Sequence, residues 1–189
     1  EGGYGPRPED AAETTSGVLE AGAVGMNLED ATRDSDGPLA DLPLQVEKIR
    51  AVREVAASSG VPLVLNARTD AYLLRVGEPA KRYGLTLTRL VAFRDAGADC
   101  LFVPGVSDVE TIQRFVKDLN FPVNILASPG APPIGELEKI GVARASLGSG
   151  VMRATLGYLQ RLAAEVKAAG TYKTLEGSPS FEEMNRLLS

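Results

Sequence analysis

Five short apolar runs, each closed by glycine, proline or charge and each followed by a stretch with helical spacing, divide this chain from end to end. That alternation is the βα repeat of a parallel α/β protein, in which strands read as nearly continuous apolar runs because helices cover them. The expected strands are Val24–Asp30, Val61–Asn66, Ala98–Val103, Pro122–Ala127 and Val142–Leu147. Between them, helices are predicted over Pro8–Ala21, from Pro43 to the stop at Ser58-Ser59-Gly60, over Thr86–Ala96, and from a Ser107/Glu110 capping box to about Asp118. Further helices follow over Pro133–Ile140, from Gly148-Ser149-Gly150 to about Ala169, and after a second capping box at Ser180/Glu183. The polar stretch Ala31–Leu42 is too long for a simple turn and is a candidate active-site loop; Leu74–Leu85, with Gly77, Pro79 and Gly84, reads as a second loop.

No G-x-G-x-x-G follows a strand, so a dinucleotide-binding fold has no support. The remaining choice is an open sheet or a barrel. Five strands, plus the tail of a sixth at Glu1, leave a barrel interior unfilled, and the reading is therefore a (β/α)8 TIM barrel whose first strands precede Glu1. All 189 residues are expected to form one domain. The amphipathic segment at about 178–188 is expected to dock on a partner subunit or on its own barrel.

Composition narrows the chemistry. With no histidine, a Ser-His-Asp triad, a Cys-His pair and any histidine-bearing metal site are excluded, and oxygen ligation favours Mg²⁺ or Mn²⁺ over zinc. The one cysteine, Cys100, reads as a small core residue. A net charge of −5 without a basic run argues against nucleic acid or an anionic membrane as partner. No apolar stretch is long enough to span a bilayer and no signal peptide is visible, so a cytoplasmic protein is expected.

Polar residues gather at the expected strand ends: Glu1, the Glu29 and Asp30 pair, and Arg68 with Asp70. On a parallel barrel these converge on the face where such folds place their chemistry. Carboxylates facing one point repel unless a cation neutralises them, and a hard divalent ion held through water answers that need. The arginine supplies a bidentate anchor for a carboxylate or phosphonate. Asp30 and Asp70 serve equally well, on this reading, as helix N-caps. Gly148-Ser149-Gly150 is either an anion cradle or a tight turn, and Tyr4 either donates at the pocket mouth or packs there.

These residues carry a resemblance. Through Gly3-Tyr4-Gly5, Leu28-Glu29-Asp30, Ala67-Arg68-Thr69-Asp70-Ala71, Ala96-Gly97-Ala98-Asp99 and Pro122-Val123-Asn124, the chain resembles the isocitrate lyase and phosphoenolpyruvate mutase superfamily from end to end. The resemblance implies an (α/β)8 barrel and a homo-oligomer, a dimer or a tetramer exchanging its last helices. It also implies Mg²⁺ chelated by a small 2-oxo acid or enolpyruvate carboxylate, and cleavage or formation of C–C or P–C bonds through an enolate-like intermediate. Glu1 matches the second acid of the family's D-x-D/E motif and Glu29 the acid of its I-E-D motif, both holding Mg²⁺ through water. Arg68 matches the substrate-binding arginine that stabilises the enolate, and Asn124 a polar residue reaching the substrate. The first acid of the D-x-D/E motif would lie just before Glu1.

The loop after the I-E-D strand departs from the family. Lyases carry K-K-C-G-H there, and this loop reads A-T-R-D-S-D-G-P-L-A-D-L, with Arg33 as its only cation, either a replacement electrophile or a solvated loop arginine. Three readings follow: a Mg²⁺-dependent C–C lyase or phosphonomutase, a mutase or hydrolase of phosphonopyruvate-like P–C bonds, and a catalytically silent barrel that binds a metabolite or serves assembly.

Overall fold

The computed structural model describes residues 1–32 and 37–188. The chain separates into two compact units, Glu1–Ser146 and Leu147–Ser189. The first contains, in order, α1 (Pro8–Glu20), β1 (Gly25–Glu29), α2 (Leu42–Ser59), β2 (Val64–Arg68), α3 (Pro79–Asp95), β3 (Cys100–Val103), α4 (Val109–Leu119), β4 (Val123–Leu126), α5 (Ile134–Ile140) and β5 (Arg144–Ser146). The strands form a single parallel sheet in sequential order β1-β2-β3-β4-β5, the half-barrel arrangement that the βα rhythm predicts.

The two faces of the sheet differ in chemistry. Leu28, Leu65, Ala67, Leu101, Val103, Val123 and Ile125 alternate onto the outer face and are fully buried against Ile49, Val52, Leu90, Phe93, Ile112 and Phe115 of the helices. The inner face, opposite those helices, carries Asn27, Asn66, Cys100, Phe102, Asn124 and Ser146. Strands expected to be apolar throughout are therefore wholly apolar on the outer side only, while the inner side mixes these polar groups with Val64, Phe102 and Leu126. Asn66 donates from Nδ2 to Asn27 Oδ1 at 2.7 Å, and Ser146 Oγ donates to Asn124 Oδ1 at 3.0 Å. Cys100 is buried as expected, but on this inner face, where desolvation raises its thiol pKa.

Helix ends follow local chemistry. Gly60 and Gly141 take left-handed backbone at the C-termini of α2 and α5, where the sequence places stops. Besides shifts of one or two residues at other ends, three boundaries differ from the sequence reading. The stretch 79–85, expected as loop, is the first part of α3: Pro79 fits the first helical turn, Arg82 donates to the carbonyls of Arg75, Val76 and Gly77, and Tyr83 stacks on Phe115 at 4.5 Å between centroids. These tertiary contacts override the loop signal of Gly77 and Gly84. Helix α4 is capped by Asp108, whose Oδ1 accepts from Thr111 N at 2.8 Å, rather than by Ser107. Strand β2 begins at Val64 and ends at Arg68, so that arginine belongs to the sheet.

The second unit contains α6 (Gly150–Ala169), a 3₁₀ turn at Lys173–Leu175 and α7 (Phe181–Leu188). Glu165 gathers the turn by accepting from Thr171 Oγ1, Lys173 N, Thr174 N and Thr174 Oγ1, and these bonds hold its carboxyl down at about 2. The Ser180/Glu183 capping box forms as the sequence predicts, with Ser180 N to Glu183 Oε2 at 2.7 Å and Glu183 N to Ser180 Oγ at 3.2 Å. Among the described residues no helix is long and apolar enough to cross a membrane.

Gly105, just past β3, has φ +89°, and a Cβ there would sit 2.8 Å from Leu73 N. Gly105→Ala is expected to destabilise by about 1–3 kcal/mol in urea unfolding. Gly84→Ala, inside α3 with nothing within 4 Å of the added atom, is expected to stabilise by about 0.5–1 kcal/mol. Equal effects of the two substitutions would contradict this account.

Candidate active site

Parallel register brings the functional strand ends together. Glu29 ends β1 and Arg68 ends β2, and the two are registered partners. Arg68 Nη1 lies 2.9 Å from Glu29 Oε2, and its Nε lies 2.8 Å from Asp70 Oδ1. The guanidinium also stands 5.6 Å from the centroid of the Phe102 ring. Glu1 lies alongside, since its carbonyl accepts from Glu29 N at 3.3 Å.

Behind this row lies a fully buried network. Asp30 accepts from Asp70 N at 2.9 Å through Oδ1, while its Oδ2 lies 2.6 Å from Arg89 Nε. Arg89 Nη2 donates in turn to Ala40 O at 2.8 Å, and Ala40 N donates to Asp30 O at 2.8 Å. One ion pair thus joins the ends of β1 and β2 to both sides of the Ala31–Leu42 loop. Burial raises the carboxyl pKa of Asp70, and the hydrogen bond and charge of Arg68 oppose that shift. The structure gives Asp30 the work of joining strands rather than of facing solvent.

Lys48 performs a similar task at the glycine-rich segment. Its Nζ, almost wholly buried, donates to Gly2 O at 2.8 Å and Gly5 O at 2.7 Å. Tyr4 between them has φ +57° and an 81% exposed side chain. Glu1, Tyr4, Glu29, Thr32, Asp41 and Lys48 are among the residues lining a cavity of about 680 Å³.

The sequence-derived candidates therefore fall into groups. Glu1, Tyr4 and Glu29 line one cavity, and Arg68 touches Glu29 from the inner face of the sheet. Asn124 shares the register row of Arg68 two strands away, and its Nδ2 is buried without a partner among the described residues. Arg33 lies outside the described residues. Sequence reasoning missed Arg89 and Lys48, yet both left a signal. Thr86, Arg89, Leu90 and Phe93 form the buried stripe of α3, and Gln45, Lys48, Ile49, Val52 and Ala56 that of α2. A cation at helical spacing on an apolar stripe requires a buried partner.

The donor chemistry fits a hard divalent ion only in a limited way. Three carboxylate residues, Glu1, Glu29 and Asp41, line one cavity that offers no softer ligand, which suits Mg²⁺ that keeps most of its water. Among the described residues no group of three or more His, Cys, Asp or Glu side chains is placed to grip an ion directly.

The sequence model of the family described as phosphoenolpyruvate phosphomutase matches residues 1–167. The chain belongs to that family. A solved structure from Burkholderia cenocepacia, given a provisional lyase/mutase assignment, is similar over 100% of this chain and 67% of its own, with a TM-score of 0.91 and 35% identity. An uncharacterized protein of Mycobacterium tuberculosis is 33% identical over 79% of this chain and 52% of its own length. The 2-methylisocitrate lyase of Salmonella typhimurium is 28% identical over 92% of this chain and 59% of its own. The chain thus spans little more than half the length of these two relatives. For this phosphomutase-family chain the similarity includes the whole of the five-stranded sheet.

Arg89→Met in the complete protein leaves Asp30 charged and unpaired in the interior. A loss of about 3–5 kcal/mol is expected in urea unfolding, with the Asp30→Asn/Arg89→Met double variant losing much less than the sum of the singles. A cost below about 1 kcal/mol, the range of exposed ion pairs, would contradict the buried network.

Proposed function

We propose that the complete protein is a Mg²⁺-dependent lyase or phosphonomutase acting on a small 2-oxo or enolpyruvate carboxylate through an enolate-like intermediate. The five-stranded sheet would be completed to a (β/α)8 barrel by further strands, with residues 1–189 as part of a single domain in a soluble, cytoplasmic enzyme. The amphipathic helix at about 178–188 would pack against a second copy in a dimer or tetramer. The observation that carries the proposal is the contact of Arg68 with Glu29 at 2.9 Å, beside the cavity that Glu1 and Tyr4 line.

Each residue has a task in this reading. Arg68 has five N–H donors; Glu29 and Asp70 occupy two, which fixes the plane of the guanidinium and leaves the others for an anion. Charge that develops on the substrate oxygen meets that fixed cation, and preorganised donors of this kind stabilise a transition state without the reorganisation that water would need. Glu1 and Glu29 would hold Mg²⁺ through water, and the ion would supply neutralisation of the 2-oxo acid's oxygens. Asn124 offers its Nδ2, unpartnered among the described residues, to the substrate, Tyr4 donates at the mouth, and Arg33, outside the described residues, would be the electrophile.

A phosphonopyruvate-type mutase or hydrolase uses the same site. Turnover of phosphonopyruvate against oxaloacetate separates P–C from C–C chemistry. The absence of Lys, Cys and His from Ala31–Leu42 favours a second reading, a silent barrel that binds a metabolite without turning it over.

Isothermal titration of the full-length protein with oxalate, a mimic of the pyruvate enolate, tests the proposal. Binding is expected only with Mg²⁺ present, and Arg68→Ala is expected to weaken it at least about a hundredfold, the loss of a charge-assisted bidentate contact. Binding that ignores both Mg²⁺ and Arg68 would overturn the proposal.

A further inference from the structure

The register row that starts at Glu29 ends on a second arginine. Across the five strands it runs Glu29, Arg68, Phe102, Asn124, Arg144. Registered positions of parallel strands project to the same face, and two contacts identify that face. Arg68 lies over the Phe102 ring, and Ser146, two residues along β5 from Arg144, donates to Asn124 Oδ1 at 3.0 Å. Arg144 therefore shares the inner face with Arg68. Its charge is felt there by Cys100: burial raises the thiol, and the guanidinium of Arg144 pulls against that rise.

The two arginines are balanced differently. Arg68 is held by Glu29 and Asp70. Arg144 is exposed, and among the described residues no carboxylate pairs with its guanidinium and no hydrogen bond holds that group. Its inner-face neighbours Cys100, Phe102, Asn124 and Ser146 are all uncharged. A cation on the outer surface is satisfied by water alone. On the face that carries the candidate site, an uncompensated guanidinium is a standing attraction for an anion.

We propose that Arg144 receives a second acidic group of the substrate, distal to the oxygens taken by Arg68, and so selects diacids over monoacids. The proposal rests on the enolate-site reading above. Three strand spacings separate the two arginines, about 14 Å measured along the sheet, a span that two arginine side chains and a short diacid can cover together. A short diacid meets both guanidinium groups at once, whereas a monoacid of equal length meets only Arg68. Asn124, registered next to Arg144 and carrying its unpartnered buried Nδ2, adds a neutral donor along that path.

The test uses full-length protein with Mg²⁺ and measures displacement of oxalate by malate and by 2-hydroxybutyrate, four-carbon acids that differ in the distal carboxylate. Wild type is expected to prefer malate by at least about tenfold, the size of one charge-assisted contact. In Arg144→Met the preference falls towards one, and Arg144→Lys, which keeps the charge and serves also if the methionine variant fails to fold, restores part of it. Oxalate binding with an unchanged preference in Arg144→Met overturns this proposal alone. Wild-type protein that binds no oxalate overturns the enolate site and this assignment with it.

Discussion

The buried pair of Asp30 and Arg89 is the constraint on which the candidate site depends. Two charges with almost no access to water are retained only where geometry and hydrogen bonds offset their desolvation, and here both conditions hold. Asp30 accepts from Arg89 and from Asp70 N, and Arg89 also reaches Ala40 O. The pair therefore fixes the ends of two strands and the return of one loop at a single point. Arg68 inherits its position from that point, because Asp70, whose backbone Asp30 holds, is one of its two carboxylate partners.

The sheet's division into an apolar outer face and a polar inner face follows from the same economy. Helices α1 to α5 supply apolar cover on one side, so every outward side chain of the strands is Leu, Val, Ile, Ala or Met. The inner side is stocked with amides, a thiol and charged groups. Layers of bulky aliphatics fill the usual barrel interior; this chain has Asn27 bonded to Asn66 instead. Buried polar atoms without partners among the described residues, Asn66 Oδ1 and Asn124 Nδ2, mark where that face expects another molecule or segment.

Much of the fold was legible because punctuation is local. Gly60 and Gly141 stop helices by adopting backbone angles that other residues avoid, and the Ser180/Glu183 box closes as written. The start of α3 was not legible, since Tyr83 gains its helical place from Phe115, a residue 32 positions later. The meeting of Glu29 with Arg68 was legible as two strand ends on one face. Arg144 was not, because its side of the sheet depends on register, which the sequence leaves open until strands pair. Arg89 and Lys48 were legible in principle as cations within apolar stripes, and were overlooked because charge on a helix is ordinarily solvated.

The central claim is that the inner face at the ends of β1 and β2 is an enolate site anchored by Arg68. A crystal structure of the full-length protein with Mg²⁺ and oxalate tests it most directly. The account predicts oxalate oxygens within hydrogen-bonding distance of the Arg68 guanidinium, on the side of the sheet that carries Phe102 and Asn124. Oxalate bound elsewhere, with Arg68 still closed on Glu29 and Asp70, would contradict it.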